Sequence, residues 1–239
     1  MGVFTVGVNN IKPKNMALRV ERFDYRLIFS KTGRARFISH LDMMRTFSRI
    51  FKRAKLPVWY TQGFNPRLYI MFPLALPLGT ESRVEVMDIS LTEPLEKNEI
   101  IERVNAVMPE GMRIERITDP VMDHKEIAAS EYEIRFSLEG DHDTFSLFEQ
   151  YISQPAVIVK KRSKKKGEVE IDIKPDVKLL SLDREGDMVR CTLILPSGND
   201  KNINTSVLID GFKEFAGAPI KRIYTTRTKI LTKSGEIFT

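Results

Sequence analysis

Residues 25–57 read YRLIFSKTGRARFISHLDMMRTFSRIFKRAKLP, and this stretch predicts the strand and the helix on which the rest of the fold is built. Its first six residues, 25–30, form a short apolar run of strand length. Ser39 followed by Asp42 three residues later resembles a capping box, in which Ser39 opens the helix and the acidic residue lies in its first turn. The helix is therefore expected to begin near Ser39 and to end before Pro57, since proline cannot continue it.

Apolar and basic residues occupy different faces of this helix. One face is apolar at helical spacing and is expected to be buried: Met44, Phe47, Phe51 and Ala54. Another face is basic, mostly in the C-terminal half where cations suit the helix dipole: Arg45, Arg49, Lys52 and Arg53. The pattern predicts a helix with one buried face and one positively charged face.

The elements after this helix extend the pattern to a βαββαβ unit. We expect a proline-containing strand at 67–78, a second strand at 83–91, a helix that begins near Pro94, and a last strand at 112–117. This order is typical of ferredoxin-like domains. Pro73 and Pro77 suit an edge strand because proline cannot donate a ladder hydrogen bond.

The second half repeats this order of elements, so the predicted fold is α+β, with tandem ferredoxin-like βαββαβ domains and antiparallel sheets. We assign residues 1–22 to a flexible N-terminal arm, 23–120 to a first domain with the basic helix and a G-F-N-P turn, and 121–239 to a second domain. The second domain is expected to carry an extra basic hairpin with Lys164, Lys165 and Lys166 at its tip.

Composition excludes several classes of protein. Hydrophobic residues make up 42% of the 239 residues, but no apolar run reaches the roughly 18 residues of a membrane span. The N-terminus lacks the basic start and apolar run of a secretory signal, so we expect a cytoplasmic protein without membrane contact. The single cysteine, Cys191, excludes a disulfide framework. Because it lies in an apolar strand, we expect it to be buried and inert.

Charge is segregated along the chain. Residues 26–67 contain ten basic residues and one acidic residue, whereas residues 81–143 contain seven basic and 17 acidic residues. A local excess of positive charge attracts phosphates, so the first segment is a candidate nucleic-acid surface. The alternative interpretation is a helix face that is merely solvated.

No motif for a metal or a cofactor is present, and we expect this chain to bind neither. The three histidines, His40, His124 and His142, lack a two-ligand helical spacing, and no phosphate-loop or dinucleotide-binding motif occurs. His40 is the only candidate catalytic residue, as a general acid or base near the basic segment. Asp42 does not face it on a helix, so helix-start packing and phosphate contact are alternative roles for His40.

Residues 59–67, WYTQGFNPR, combine a turn with aromatic and basic side chains. Gly63 and the Asn-Pro pair favour a turn. Tyr60 and Phe64 suit stacking on single-stranded nucleic acid; the alternative is that both rings cap the core. The complete predicted nucleic-acid-binding set is Arg34, Arg36, His40, Arg45, Arg49, Arg53, Tyr60, Gln62, Phe64, Asn65, Arg67, Lys164, Lys165 and Lys166.

Four motifs in the first half resemble a known family. They are F-I-S-H-L-D at 37–42, R-A-K-L-P at 53–57, Y-T-Q-G-F-N-P at 60–66 and P-L-G-T-E-S at 77–82. This pattern resembles the radical SAM-linked protein family, a bacterial domain of unknown function, and the match is specific from residue 25 to about residue 91. The resemblance implies an accessory role beside a radical SAM protein. This chain lacks the C-x-x-x-C-x-x-C that holds an iron–sulfur cluster, so a partner chain would supply it.

Three functions remain open. The favoured prediction is a non-catalytic RNA-binding or substrate-presenting accessory protein that works with a radical SAM enzyme on tRNA or rRNA. The first alternative is a protein-interaction module for that partner without RNA binding. The second is an endoribonuclease of the tandem ferredoxin-like type with His40 as acid or base. Whether the chain forms a homo-oligomer is left open.

Overall fold

One large, mostly antiparallel sheet dominates the computed structural model, which describes residues 21–163, 167–198 and 200–239. Ten strands and four α-helices lie within these residues, which confirms the α+β class. None of the helices described there has the length and apolar character that a bilayer crossing requires. The predicted N-terminal arm, apart from its last two residues, and Lys164–Lys166 lie outside the described residues.

The first half supplies four strands and two helices. They are β1 (Phe23–Lys31), α1 (His40–Arg53), β2 (Ile70–Met71), β3 (Glu81–Leu91), α2 (Lys97–Asn105) and β4 (Met112–Thr118). β1 lies between β4 and β3, β2 pairs with β3, and all of these pairs are antiparallel. A short 3-10 turn, Gly33–Phe37, connects β1 to α1.

The second half adds six strands and two helices. They are β5 (Ile127–Leu138), α3 (Thr144–Ser153), β6 (Ile158–Ser163), β7 (Gly167–Asp172), β8 (Lys178–Glu185), β9 (Met188–Pro196), α4 (Thr205–Ala216) and β10 (Ile220–Thr232). Four of the strands follow the order β10-β5-β9-β8 with antiparallel neighbours. β6 and β7 pair only with each other, as a separate hairpin within the described residues.

The two halves share one sheet because β10 pairs with β3. This contact is parallel and short, with Thr226 opposite Glu81 and Arg227 opposite Ser82. β2 occupies the other end of the same edge, where it pairs with Ile89 and Asp88. Since β2 covers only the C-terminal part of β3, the N-terminal part remains available to β10.

The predicted strand at 67–78 is wrong in its length. Only Ile70–Met71 forms a strand there, and the chain after it contains Pro73 and Pro77. Each proline lacks the N–H that a ladder needs, so pairing stops before the first of them.

The helices follow the predicted pattern with two corrections. Ser39 caps α1 and its hydroxyl accepts from the amide of Asp42, as predicted. The buried stripe of α1 contains Met43 rather than Met44, which is only half-buried. α2 begins at Lys97 and not near Pro94, so the chain from Pro94 to Glu96 leads into the helix without belonging to it.

Apolar side chains of the described residues form three buried clusters. One packs α1 and α2 on the first-half strands, and includes Leu27, Phe47 and Ile100. Another packs α3 and α4 on the second-half strands, and includes Phe136 and Phe212. The third is small and joins residues from both halves: Ile28, Val86, Ile127, Ile230 and Phe238.

Candidate nucleic-acid interface

Part of the positive charge of residues 26–67 is internal. Arg26 is 2% exposed and donates from Nε and Nη2 to the two carboxylate oxygens of Asp88, over 2.7 and 2.8 Å. Lys31 is 3% exposed, and its ammonium donates to the carbonyl of Ile38 over 2.8 Å. Because both groups are internal, they add little to the surface field.

The basic and acidic segments also pair with each other. Besides Arg26 and Asp88, the Arg36 guanidinium lies 3.3 Å from the carboxylate of Glu81. Arg45 pairs within its own helix with Asp42, also at 3.3 Å. Ion pairs within the fold therefore neutralise part of the charge that is segregated along the sequence.

Six exposed basic residues of this segment have no ion pair among the described residues. They are Arg34, Arg49, Lys52, Arg53, Lys55 and Arg67. Arg49 and Arg53 border a groove of about 280 Å³ between α1 and the chain after α2, with Val107 and Met108 on the far side. We call this the α1–α2 groove. Its two arginines are free to contact an anionic ligand.

Residues 58–69 form an irregular hairpin that leaves the sheet beside β3. Its base pairs with Leu91 through Val58, and Tyr60 bridges to Leu68. Two hydrogen bonds close its tip, because the Thr61 amide donates to the Arg67 carbonyl and the Arg67 amide donates to the Thr61 hydroxyl, over 2.8 and 3.0 Å. We call this segment the aromatic hairpin.

The aromatic hairpin exposes the rings that the sequence singled out. Phe64 is 106% exposed and Tyr60 is 49% exposed, so the alternative that they cap the core is wrong. Gln62, Asn65 and Arg67 are exposed beside them. Trp59 has a structural role instead, since its ring packs edge-on against Tyr69 at 6.0 Å.

His40, the only candidate catalytic residue, begins α1 and borders a cavity of about 20 Å³. Its ring packs edge-on against Phe72, with centroids 5.3 Å apart. The same cavity is lined by Lys31 and Glu85, so the fold provides the titratable neighbours that the local sequence lacks. The cavity has room for about one water molecule.

Glu85 belongs to a buried polar network at the junction of the halves, and Lys31 lines the same small cavity. Arg227 is 1% exposed and donates to Glu85 over 3.0 Å, to the Ala75 carbonyl over 3.0 Å and to the Tyr132 hydroxyl. Burial lowers the pKa of Lys31, and the negative charge of Glu85 partly opposes this. The sequence analysis did not predict this network. The presence of charged residues within apolar strand segments is the feature that could have indicated it.

The predicted site residues do not form one continuous site. Arg36 lines a groove between the halves, His40 lines the small cavity, Arg49 and Arg53 line the α1–α2 groove, and the 60–67 group occupies the aromatic hairpin. Lys164–Lys166 lie outside the described residues, between β6 and β7.

The described residues contain no group of three or more His, Cys, Asp or Glu side chains placed to hold a metal ion. Cys191 is buried in β9, and burial raises the pKa of its thiol to about 12. The thiol is therefore protonated at neutral pH, a form that neither attacks electrophiles nor binds metals well.

Comparison with known proteins identifies a family and a distant structural likeness. The model of the family described as "Uncharacterized protein conserved in bacteria (DUF2344)" matches residues 24–205. The search of curated proteins found no match. A solved structure described as "Crystal Structure of a Cbf5-Nop10-Gar1 Complex" matches with a TM-score of 0.47 and 14% identity, over 86% of this chain and 48% of that chain. The present chain thus spans about half the length of the chain it matches.

Proposed function

The chain belongs to this family of uncharacterised bacterial proteins, and we propose that it is a non-catalytic accessory protein that binds single-stranded RNA and presents it to an enzyme. The observation that carries the proposal is the fully exposed Phe64 at the tip of the aromatic hairpin. An exposed ring beside Tyr60 and Arg67 offers what an unstacked base needs, namely a flat apolar surface and a nearby cation.

The exposed arginines support RNA over other ligands. Arg49 and Arg53 in the α1–α2 groove have no ion pair among the described residues, so a phosphate would not have to displace a carboxylate. Stacking supplies affinity with little sequence preference, and phosphate contacts supply a salt-dependent term. Together they fit a tRNA or rRNA segment that is single-stranded where it is bound.

The proposed partner is a radical SAM protein in the bacterial cytoplasm. Its support is the sequence resemblance over residues 25–91, which implies an accessory role beside such an enzyme. Cys191 is the only cysteine of this chain, so the cluster chemistry would belong to the partner.

We also propose that the two halves are tandem ferredoxin-like units. The support is that each half has the same strand order when its four sheet strands are numbered in sequence: fourth, first, third, second. The β6–β7 hairpin lies between the first helix and the second sheet strand of the second half, where the extra hairpin is expected.

RNA binding is tested by fluorescence anisotropy with a labelled single-stranded RNA of about 12 nucleotides over a range of salt concentrations. Phe64→Ala is expected to weaken binding about 5- to 150-fold, the effect of losing one stacked base. Arg49→Glu/Arg53→Glu should make the slope of log affinity against log salt shallower by about 1.4, since each single-strand phosphate contact contributes about 0.7.

Lys178→Glu/Arg113→Glu is the matched control, because both residues are exposed and lie on the edge strands β8 and β4. This control should keep most of the affinity. Absence of binding by the wild-type chain, or an equal loss in the control, would contradict the proposal. Capture of a partner protein by an RNA-free chain would instead support the interaction module.

An endoribonuclease remains the second candidate, and one observation favours it. His40, Lys31 and Glu85 line the same small cavity, which brings a candidate acid or base next to a buried cation and a carboxylate. Cleavage of end-labelled RNA that is lost in His40→Ala, with RNA affinity retained, would establish this activity. Cleavage that survives in His40→Ala would eliminate this version.

A further inference from the structure

Four side chains from both halves are connected by cation–π contacts at the surface. The Arg36 guanidinium carbon lies 4.8 Å from the ring centroid of Phe37 and 5.9 Å from that of Tyr224. The Arg135 guanidinium carbon lies 5.4 Å from the same Tyr224 ring centroid. We call these four side chains, Phe37, Arg36, Tyr224 and Arg135, the cation–π ladder.

The cation–π ladder is open to solvent at its aromatic members. Phe37 is 61% exposed and Tyr224 is 38% exposed. A carboxylate lies near each guanidinium group, since Glu81 is 3.3 Å from Arg36 and Glu185 is 3.7 Å from Arg135. The planar groups are therefore positioned before any ligand arrives, which lowers the entropy lost on binding.

The ladder borders the largest of the grooves we describe. This groove lies between the halves, has a volume of about 700 Å³, and is lined by Arg36 and Phe37 from one half and by α4 and β10 from the other. Leu78 and Ile223 in its wall are 65% and 42% exposed. We call it the inter-half groove. Its size lies within the roughly 300–1,000 Å³ of small-molecule sites.

We propose that the cation–π ladder and the inter-half groove bind unstacked nucleobases of a single-stranded RNA. We infer this occupant because nucleobases stack both on aromatic rings and on guanidinium planes. Arg34 is exposed on the same 3-10 turn as Arg36 and has no ion pair among the described residues, so it is available to contact a backbone phosphate of that RNA.

The ladder differs from the α1–α2 groove in its expected dependence on salt. Its two arginines are each matched by a carboxylate, so stacking and not counterion release should provide most of the affinity there. A ladder variant is therefore expected to weaken RNA binding by a similar factor at low and at high salt. An Arg49 or Arg53 variant changes the salt slope instead.

This inference rests on the proposed RNA-binding function, and the two are tested together on the full chain. The probes are a labelled 12-nucleotide oligoadenylate and an abasic oligomer of the same length and charge. Phe37→Ala and Tyr224→Ala are each expected to weaken oligoadenylate binding about 5- to 150-fold, while Tyr224→Phe, which keeps the ring, retains affinity. None of these variants should change binding of the abasic probe.

The outcomes separate the two proposals. If Arg49→Glu/Arg53→Glu loses affinity while both alanine variants bind oligoadenylate like the wild type, the ladder is not a base site and the proposed function stands. If the alanine variants lose affinity equally for the abasic probe, the ladder acts through folding or charge and the inference fails. If the wild type binds neither probe, both proposals fail.

Discussion

The buried junction between the halves contains two cationic side chains, Lys31 and Arg227, and one carboxylate, Glu85. Desolvation disfavours the charged form of a buried lysine, which is why the pKa of Lys31 lies below its usual range. Arg227 keeps its charge because guanidinium remains protonated and Glu85 is its direct partner. Lys31 therefore loses its proton at a lower pH in the folded chain than in the unfolded chain.

The free energy of unfolding should rise with pH as a result of Lys31. Below the lowered pKa, folded and unfolded chains both bind the proton; between that pKa and 10.5 only the unfolded chain does. Stability therefore increases across this window in the wild type, and Lys31→Met should remove that increase. Urea unfolding between pH 7 and 11 measures it, with the exposed Lys52→Met as control. An unchanged slope in Lys31→Met would contradict the assignment.

The turn between α2 and β4 depends on a glycine that contacts the chain after β1. Gly111 has a φ of +81°, and a Cβ there would clash with the carbonyl oxygen of Thr32. The Thr32 amide also donates to the Gly111 carbonyl over 2.7 Å. This turn therefore fixes the start of β4 against the end of β1, and both the backbone angle and the close approach require glycine.

Substitution of two glycines distinguishes the cost of the backbone angle from the cost of the close contact. Gly186, in the turn between β8 and β9, has a φ of +61°, and a Cβ added there would have no heavy atom beyond its chain neighbours within 4 Å. Gly186→Ala should therefore cost about 1–2 kcal/mol from the backbone angle alone. Gly111→Ala should cost at least about 1 kcal/mol more, because Thr32 must move and its hydrogen bond is lost. Equal losses in urea unfolding would show that the contact with Thr32 is unimportant.

The aromatic hairpin and β2 show which features of an element can be predicted from the sequence and which cannot. The turn at 62–66 follows from its glycine and its Asn-Pro pair, so the sequence predicts it. Exposure of Phe64 could not be predicted, because an aromatic residue in a turn either covers the core or leaves it, and only its tertiary neighbours decide which. The parallel pairing of β10 with the N-terminal part of β3, beside β2, likewise depends on the tertiary structure.

The two halves are held together by a short strand contact and by residues that follow it. Besides the pairing of β10 with β3, the Arg26 guanidinium donates to the carbonyls of Met122 and Thr239 over 3.0 and 3.2 Å. The ring of Phe238 covers that guanidinium at 4.4 Å and belongs to the cluster shared by both halves. Residues from as far as 213 positions away thus complete the environment of β1.

Phe238→Ala should destabilise the whole chain. The side chain is 3% exposed, and removal of a buried phenylalanine ring costs about 3–5 kcal/mol through lost transfer energy and a cavity. Its neighbour Ile237 is 50% exposed, so Ile237→Ala should change the free energy of unfolding by less than about 0.5 kcal/mol. Thermal and urea unfolding of both variants check this, and a small effect of Phe238→Ala would show that the final residues do not stabilise the junction.

The α+β class, the order of the elements and most of their bounds were predictable from the sequence, because period, caps and prolines act within a few residues. The predictions for β3 and β4, for example, lie within two residues of their observed bounds. The aromatic and basic residues of 60–67 and α1 are also identifiable from local pattern alone.

The pairing of charges and the assembly of the surface sites depended on the tertiary structure. The contacts of Arg26 with Asp88, of Arg227 with Glu85 and of Arg36 with Tyr224 join residues from distant parts of the chain. A sequence pattern indicates that a charged group needs a partner or that a ring must pack. It does not identify the partner residue. Partners are chosen by sheet order and by the parallel contact of β10 with β3, which is why the cation–π ladder and the buried network become visible only in the folded chain.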